Sequence, residues 1–296
     1  LKTSPSLSGT TTVPAILAGA IGERWERFAA ELARSRRRRT EPGIHDLRVA
    51  IRRLTAVLTL VDALFPRAVR PKTLRTLDAL LTSLSALRDI HVLLLTVRSL
   101  VRRFPPLRPM LALLNTKRTA LGRDVGRLIA RCDVAFLERE ISRIASSIMA
   151  ATGSPAAEGA MRSVLIGLAG QRFLRLEERR MMIAGGDPKS LHRMRVAFKK
   201  LRYTVESILP LLPGVTKGGI KAMGPLQDRM GEIQDIEVLI TAVNDHAASH
   251  RVASSLLPLL QYLALRRREL VDAFVRDMAG GDMSRIFGAG IQAPLH

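Results

Sequence analysis

Cysteine is nearly absent: Cys132 is the single one in 296 residues. One thiol cannot build an intramolecular disulfide framework or a multi-cysteine zinc site, and its scarcity fits a reducing cytoplasm. Aromatic residues are also few, with 1 Trp, 2 Tyr and 8 Phe. Single-stranded nucleic-acid binders ordinarily offer aromatic platforms on which bases stack, so this composition speaks against that class. No run approaches 18 consecutive apolar residues, and no transmembrane helix is assigned. No period-2 run of β-branched residues is long enough for a strand. Phosphoryl-transfer and hydrolase motifs are missing as well: there is no Gly-x-x-x-x-Gly-Lys-Ser/Thr loop, no Ser/His/Asp set and no His/Cys cluster. His91, His246 and His250 form no repeated ligand set, so the expectation is no metal, no cofactor and no catalytic residue.

Acidic residues are in deficit. There are 26 Asp+Glu against 47 Lys+Arg, a formal charge of +21, and 39 of those cations are arginine. Arginine presents a rigid fork of donors to phosphate oxygens and keeps its charge when partly buried. A chain this positive repels itself unless salt or an anionic partner screens it. The 47% of hydrophobic residues supplies a sizeable core.

Helical punctuation fills the chain, and the predicted fold is all-α. Residues 13–22 are apolar and contain Ala18-Gly19-Ala20, which has the look of a signal cleavage site. They run directly into the amphipathic Glu23-Arg24-Trp25-Glu26-Arg27-Phe28, however, and read as a first helix. The expected helices are 14–38, 44–64 after a break at Glu41-Pro42-Gly43, 71–102 with a kink at Asp89, 107–131, and 134–150 capped by Asp133. Gly153-Ser154-Pro155 marks the main boundary. Beyond it come 157–184, 189–212, 217–247 and 251–279, with residues 1–12 and 281–296 expected to be flexible ends.

The second half repeats the first. His45-Asp46-Leu47-Arg48-Val49-Ala50-Ile51-Arg52-Arg53-Leu54 matches His192-Arg193-Met194-Arg195-Val196-Ala197-Phe198-Lys199-Lys200-Leu201 at a constant offset of 147. Leu77, Leu80, Leu84, Leu87, Asp89, Val92 and Leu93 match Met223, Leu226, Met230, Ile233, Asp235, Val238 and Leu239 at 146. Lys117-Arg118 and Leu121 match Arg266-Arg267 and Leu270 at 149, less strongly. Register kept through three blocks implies two copies of one multi-helix unit, 13–152 and 153–280. The economical architecture is two pseudo-symmetric four-helix bundles around a basic central groove or channel.

On a helical wheel His45, Arg48 and Arg52 fall within about a 60° arc, opposite Leu47, Ile51, Leu54, Leu58 and Val61. In the second copy His192, Arg195 and Lys199 oppose Met194, Phe198, Leu201, Val205 and Ile208. Each helix therefore packs an apolar stripe inward and offers a basic one outward, and two such stripes can share a groove. The histidines are expected in the first turn, where backbone N–H groups favour anions, and a nearby phosphate would raise their pKa. Asp89 and Asp235 read as structural residues that cap a helix or pair with arginine. Lys117, Arg118, Arg266 and Arg267 are expected to join the basic surface. The arginine run 36–39 has no counterpart in the second half and reads as a solvated helix end or an accessory anion contact.

The opening His45-x-x-Arg48-Val49-x-x-Arg52-Arg53, the later leucine-rich segment ending Leu87-Arg88-Asp89, and their repetition together resemble the CHAD family. The resemblance covers about 13–280. It implies two four-helix bundles around a basic cavity, inorganic polyphosphate as ligand, and association with polyphosphate granules in bacterial or archaeal cytoplasm. The residues it points to are His45, Arg48, Arg52 and Arg53, with His192, Arg195, Lys199, Lys200 and Arg202 in the second copy. Lys199-Lys200 in place of Arg52-Arg53, and Gln234 in place of Arg88, shift the second copy towards point-charge contact. No Glu-x-Glu-x-Lys signature of the triphosphate-tunnel enzymes often fused to CHAD domains occurs, so the stand-alone form is expected. The functional expectation is non-catalytic polyphosphate binding, without membrane association and with non-specific nucleic-acid binding at low salt. Two alternatives stand beside it: a helical nucleic-acid-binding protein, and a polyphosphate-acting or phospho-accepting enzyme. The enzyme reading is weakened because Asp46 beside His45 becomes Arg193 beside His192.

Overall fold

The computed structural model describes residues 12–151, 153–183, 187–250 and 252–279. They form nine α-helices: α1 (Val13–Arg37), α2 (Glu41–Leu64), α3 (Pro71–Leu100), α4 (Arg108–Arg131), α5 (Val134–Ala150), α6 (Pro155–Met181), α7 (Pro188–Ile208), α8 (Lys217–His250) and α9 (Ala253–Ala279). The all-α expectation holds. The two expected flexible ends fall, apart from Thr12, outside the described residues, as does most of the Gly-rich stretch before Asp187.

Local chemistry explains where the helices begin. Thr12, Thr40, Asp133, Ser154 and Asp187 each turn a side-chain oxygen back onto a backbone N–H of the first turn that follows. Two boundaries differ from expectation. The Glu41-Pro42-Gly43 segment is the first turn of α2, not a linker. Thr40 accepts a hydrogen bond from Gly43 N at 3.2 Å, and Pro42 sits where no intrahelical N–H is required. Helix α3 also runs unbroken through Asp89, because Leu84 and Leu87 before it and Leu93 and Leu94 after it all find buried partners.

Helices α1 to α4 pack in sequence order, each on the next, and α6 to α9 do the same. Helix α5 lies against α1 and has no equivalent in the second half among the described residues. The halves meet mainly where α2 crosses α7 and α3 crosses α8. The buried apolar residues do not divide by half, however. One cluster joins α1, α2, α5, α6 and α7 to the N-terminal parts of α3 and α8 and the C-terminal parts of α4 and α9. The other joins the opposite ends of α3, α4, α8 and α9 through Leu93, Val97, Leu114, Leu239, Val243 and Leu259. On α3 the changeover falls between Leu87 and Leu93, and on α8 between Ile233 and Leu239. Those two gaps hold Arg88, Asp89, His91, Gln234, Asp235 and Glu237. A polar layer therefore crosses the molecule at mid-height.

Helix α3 is long and apolar enough to cross a membrane by length and composition alone, with a mean hydropathy of 1.5 over its most apolar window. Here it packs between α2, α4 and α8.

Candidate polyanion-binding site

The apolar stripes settle how α2 and α7 are turned. Leu47, Ile51, Leu54, Leu58 and Val61, and Met194, Phe198, Leu201, Val205 and Ile208, are all buried. Burying ten such side chains contributes on the order of 20 kcal/mol of transfer free energy before entropy is counted, so these helices cannot rotate to hide their basic stripes. Between the halves lies a cleft of about 730 Å³ lined by Arg52, Arg172, Arg175, His192, Arg195, Lys199, Lys200 and Tyr203.

The basic stripes of the two halves act on one another there. Arg48, anchored by its Nε donating to Ser85 Oγ at 3.2 Å, is pushed down to about 10 by burial and by the charges of Arg52, Arg88 and Arg195. Lys199 is pushed down to about 7, again by burial first and then by Arg195, Arg52 and Arg48. Arg195 is lowered by burial and by Arg52, with Asp235 opposing. Its Nε is shielded from solvent and has no hydrogen-bond partner. Arg52, Arg195 and Lys199 thus line the cleft together, and Arg48 adds its charge from beside it.

The two carboxylates nearby, Asp89 and Asp235, neither cap a helix nor form a direct ion pair among the described residues. They lie mid-helix, within electrostatic reach of Arg48, Arg195 and Lys199. Burial raises Asp235, against the pull of Arg195 and Arg88. The expectation that each would cap or pair with an arginine is corrected to a long-range balance of charge.

His45 and His192 hold the same register, each the fifth residue of its helix. That places both beyond the first turn. The nearby N–H groups are already engaged, Gly43 N by Thr40 and Lys189 N and Ser190 N by Asp187 at 3.2 and 2.9 Å. Attraction of an anion by a helix N-terminus is therefore withdrawn as a reason for these histidines. His45 is lowered by the desolvating protein around its otherwise exposed ring and by Arg88. His192 donates from Nδ1 to Gln234 Oε1 at 2.7 Å, which leaves Nε2 as its free nitrogen.

Other candidates lie elsewhere. Arg53 reaches Glu206 at 3.1 Å, and Arg202 reaches the same carboxylate at 3.0 Å while also donating to Gln227. In this structure both tie α2, α7 and α8 together. Their neighbourhood is a separate cavity shared with Glu23, Arg24, Arg27 and Lys217. Arg266 pairs with Glu269 at 3.0 Å on the surface, and Arg267 pairs with Glu237. Lys117 influences His246, and Arg118 stands beside His91, both away from the main cleft. Arg172 and Arg175 on α6 were not anticipated. Burial lowers Arg172, which donates to Thr204. The sequence signal available was their three-residue spacing along one flank of the buried Leu165, Ala169, Phe173 and Leu176 stripe.

The comparisons agree with this architecture. The CHAD domain family profile matches residues 19–244. Among solved structures, the CHAD domain from the plant Ricinus communis superposes with a TM-score of 0.67 at 20% identity, covering 99% of this chain and 96% of that one. PptA from Streptomyces chartreusis does so at 0.61 and 18% identity, covering 91% and 99%. No curated protein matches the chain. At these identities the structural likeness speaks for the fold, and the profile match speaks for descent: the chain belongs to the CHAD domain family.

Proposed function

We propose that this protein binds inorganic polyphosphate, without chemistry on it, in the cleft between α2 and α7. The observation that carries the reading is the gathering of Arg48, Arg52, Arg195 and Lys199 from two helices, where burial first and then these neighbouring charges bring Lys199 to about 7. Like charges packed into a desolvated space cost folding energy, and an anion lying between them returns it. A base-free linear polymer suits a cleft with Tyr203 as its one lining aromatic residue, since no platform for stacking several bases is offered. Family membership adds the association with polyphosphate that the motif resemblance implies. Phosphoryl transfer would need carboxylates that hold a divalent metal, and Asp89 and Asp235 sit instead within reach of arginine and lysine. A binding role at polyphosphate granules in the cytoplasm follows from the same reading.

Calorimetric titration with polyphosphate of defined length tests it. Wild type should bind, with affinity falling steeply as salt rises. The Arg48→Ala/Arg195→Ala variant should lose about 100-fold, the combined worth of two charge-assisted phosphate contacts. Unchanged affinity in that variant would remove the cleft from the account. Ready displacement of polyphosphate by nucleic acid of matched charge would favour a nucleic-acid-binding protein instead.

A further inference from the structure

The charge of the central cleft continues outward on one side of the molecule. The end of α1 and the segment after it carry Arg37, Arg38 and Arg39, and these share an open cleft of about 430 Å³ with His91 of α3 and Arg118 and Arg123 of α4. No carboxylate lines it. The nearest acid along α4, Asp124, is held by Arg127. This is not a loose helix end. Arg36 fastens the run to the C-terminus of α4 by donating to the carbonyls of Ile129 and Cys132 at 3.2 and 2.8 Å. Arg39 lies flat over Gly126, its guanidinium carbon 3.2 Å from where a Cβ would stand, an approach that glycine permits.

His91 connects the two clefts. It lies one turn beyond Arg88, which acts on His45 and Arg48 and is itself paired with Glu41; burial opposes the charge of His91, Glu41 favours it, and Arg88 and Arg118 oppose it. Cations therefore run from Arg52 and Arg48 past Arg88 to Arg118 and the arginine run, with the Arg88–Glu41 pair between the two clefts.

The matched positions in the second half behave oppositely. In the 146 register His91 corresponds to Glu237, and in the 149 register Arg118 corresponds to Arg267. Glu237 and Arg267 form an ion pair. Beside Glu237 is a cleft of about 630 Å³ in which Glu237 and Asp245 share the lining with Lys189, His192 and Arg193. One change of residue at the shared position, histidine in one half and glutamate in the other, decides whether a carboxylate stands beside the matched arginine.

We infer that the first-half cleft is a second anion subsite, which takes the stretch of a linear phosphate polymer emerging from the central cleft. The polymer thus leaves the central cleft along a first-half surface that no carboxylate lines. This rests on the polyphosphate reading above, and its consequence is a preference for long chains.

The test uses the full chain and two polyphosphates, one short enough to lie within the central cleft and one several times longer, titrated at fixed salt. Wild type should bind the long chain about tenfold more tightly per molecule, the equivalent of one or two charge-assisted contacts. His91→Glu should pair with Arg118 and erase that advantage while leaving short-chain affinity alone. Gly122→Leu should do the same without altering charge, because it projects into the cleft from a helix position where an added Cβ meets nothing. Equal affinity of wild type for both lengths, or equal loss of both lengths in the two variants, would overturn the second subsite while the central cleft stands. Absence of binding at either length in wild type would overturn both.

Discussion

Lys199 is where the function should be most visible at the scale of one residue. Its folded pKa of about 7 lies below the ordinary lysine value of 10.5, through burial and then the charges of Arg195, Arg52 and Arg48. Between those two values the unfolded chain holds the proton more often than the folded one, so this group makes the free protein more stable as pH rises through that window. Below pH 7 the native ammonium is charged and crowded. A phosphate placed beside it reverses the balance, raises its pKa and draws a proton in on binding. Affinity should therefore strengthen as pH falls from about 9 to about 7, by at most about tenfold per pH unit for one proton. Titrations in buffers of different ionisation heat would count the protons taken up. Lys199→Met should bind more weakly and lose that part of the slope. A slope that survives the substitution would have to be assigned to a group other than Lys199.

At the scale of the helix, α2 and α7 each need a fixed rotation and a fixed mutual placement. The rotation comes from the buried stripes. The placement owes much to Glu206 of α7, which receives Arg53 of α2 and Arg202 of its own helix. Replacing Glu206 with Gln leaves two arginines without their charge partner, at a cost of about 1–2 kcal/mol measured by urea unfolding, given partial solvent access. Polyphosphate affinity should be unchanged. A matching loss of affinity would return Arg53 and Arg202 to the ligand site. This element also shows what could be read ahead of the structure. The stripe, the helical register and the all-α class follow from local periodicity, and the repeated motif put Arg48, Arg52, Arg195 and Lys199 in one set. The partners of Arg53 and Arg202 were not legible, because Glu206 lies 153 residues from Arg53 and no local pattern links them. The start of α2 was misjudged for a different reason: Pro and Gly ordinarily break helices, and the Thr40 cap makes them a first turn. Arg172 and Arg175 escaped because α6 carries no copy of the repeated motif.

Across the whole molecule, a formal charge of +21 and a polar layer at mid-height set stability against binding. A layer of polar residues, Arg88 and His91 with Asp89, Asp235 and Glu237 among them, interrupts the apolar core between its two clusters. Truncating a half-buried arginine usually lowers stability through lost packing. Here Arg48→Ala/Arg195→Ala also removes the strongest repulsion in the cleft, so the free variant should melt at or above the temperature of the free wild type. Saturating polyphosphate should act in the other direction. At 100 times its dissociation constant a ligand that binds only the folded state adds about 2.7 kcal/mol, which for a chain of this size raises Tm by about 4 °C. The variant should show little of that rise. Scanning calorimetry of both proteins, with and without polyphosphate at matched ionic strength, therefore yields a crossing: variant above wild type when free, below it when loaded. A free variant that melts well below wild type would mean that these arginines hold the fold together more than they strain it, and the cleft would then have no energetic need of an anion.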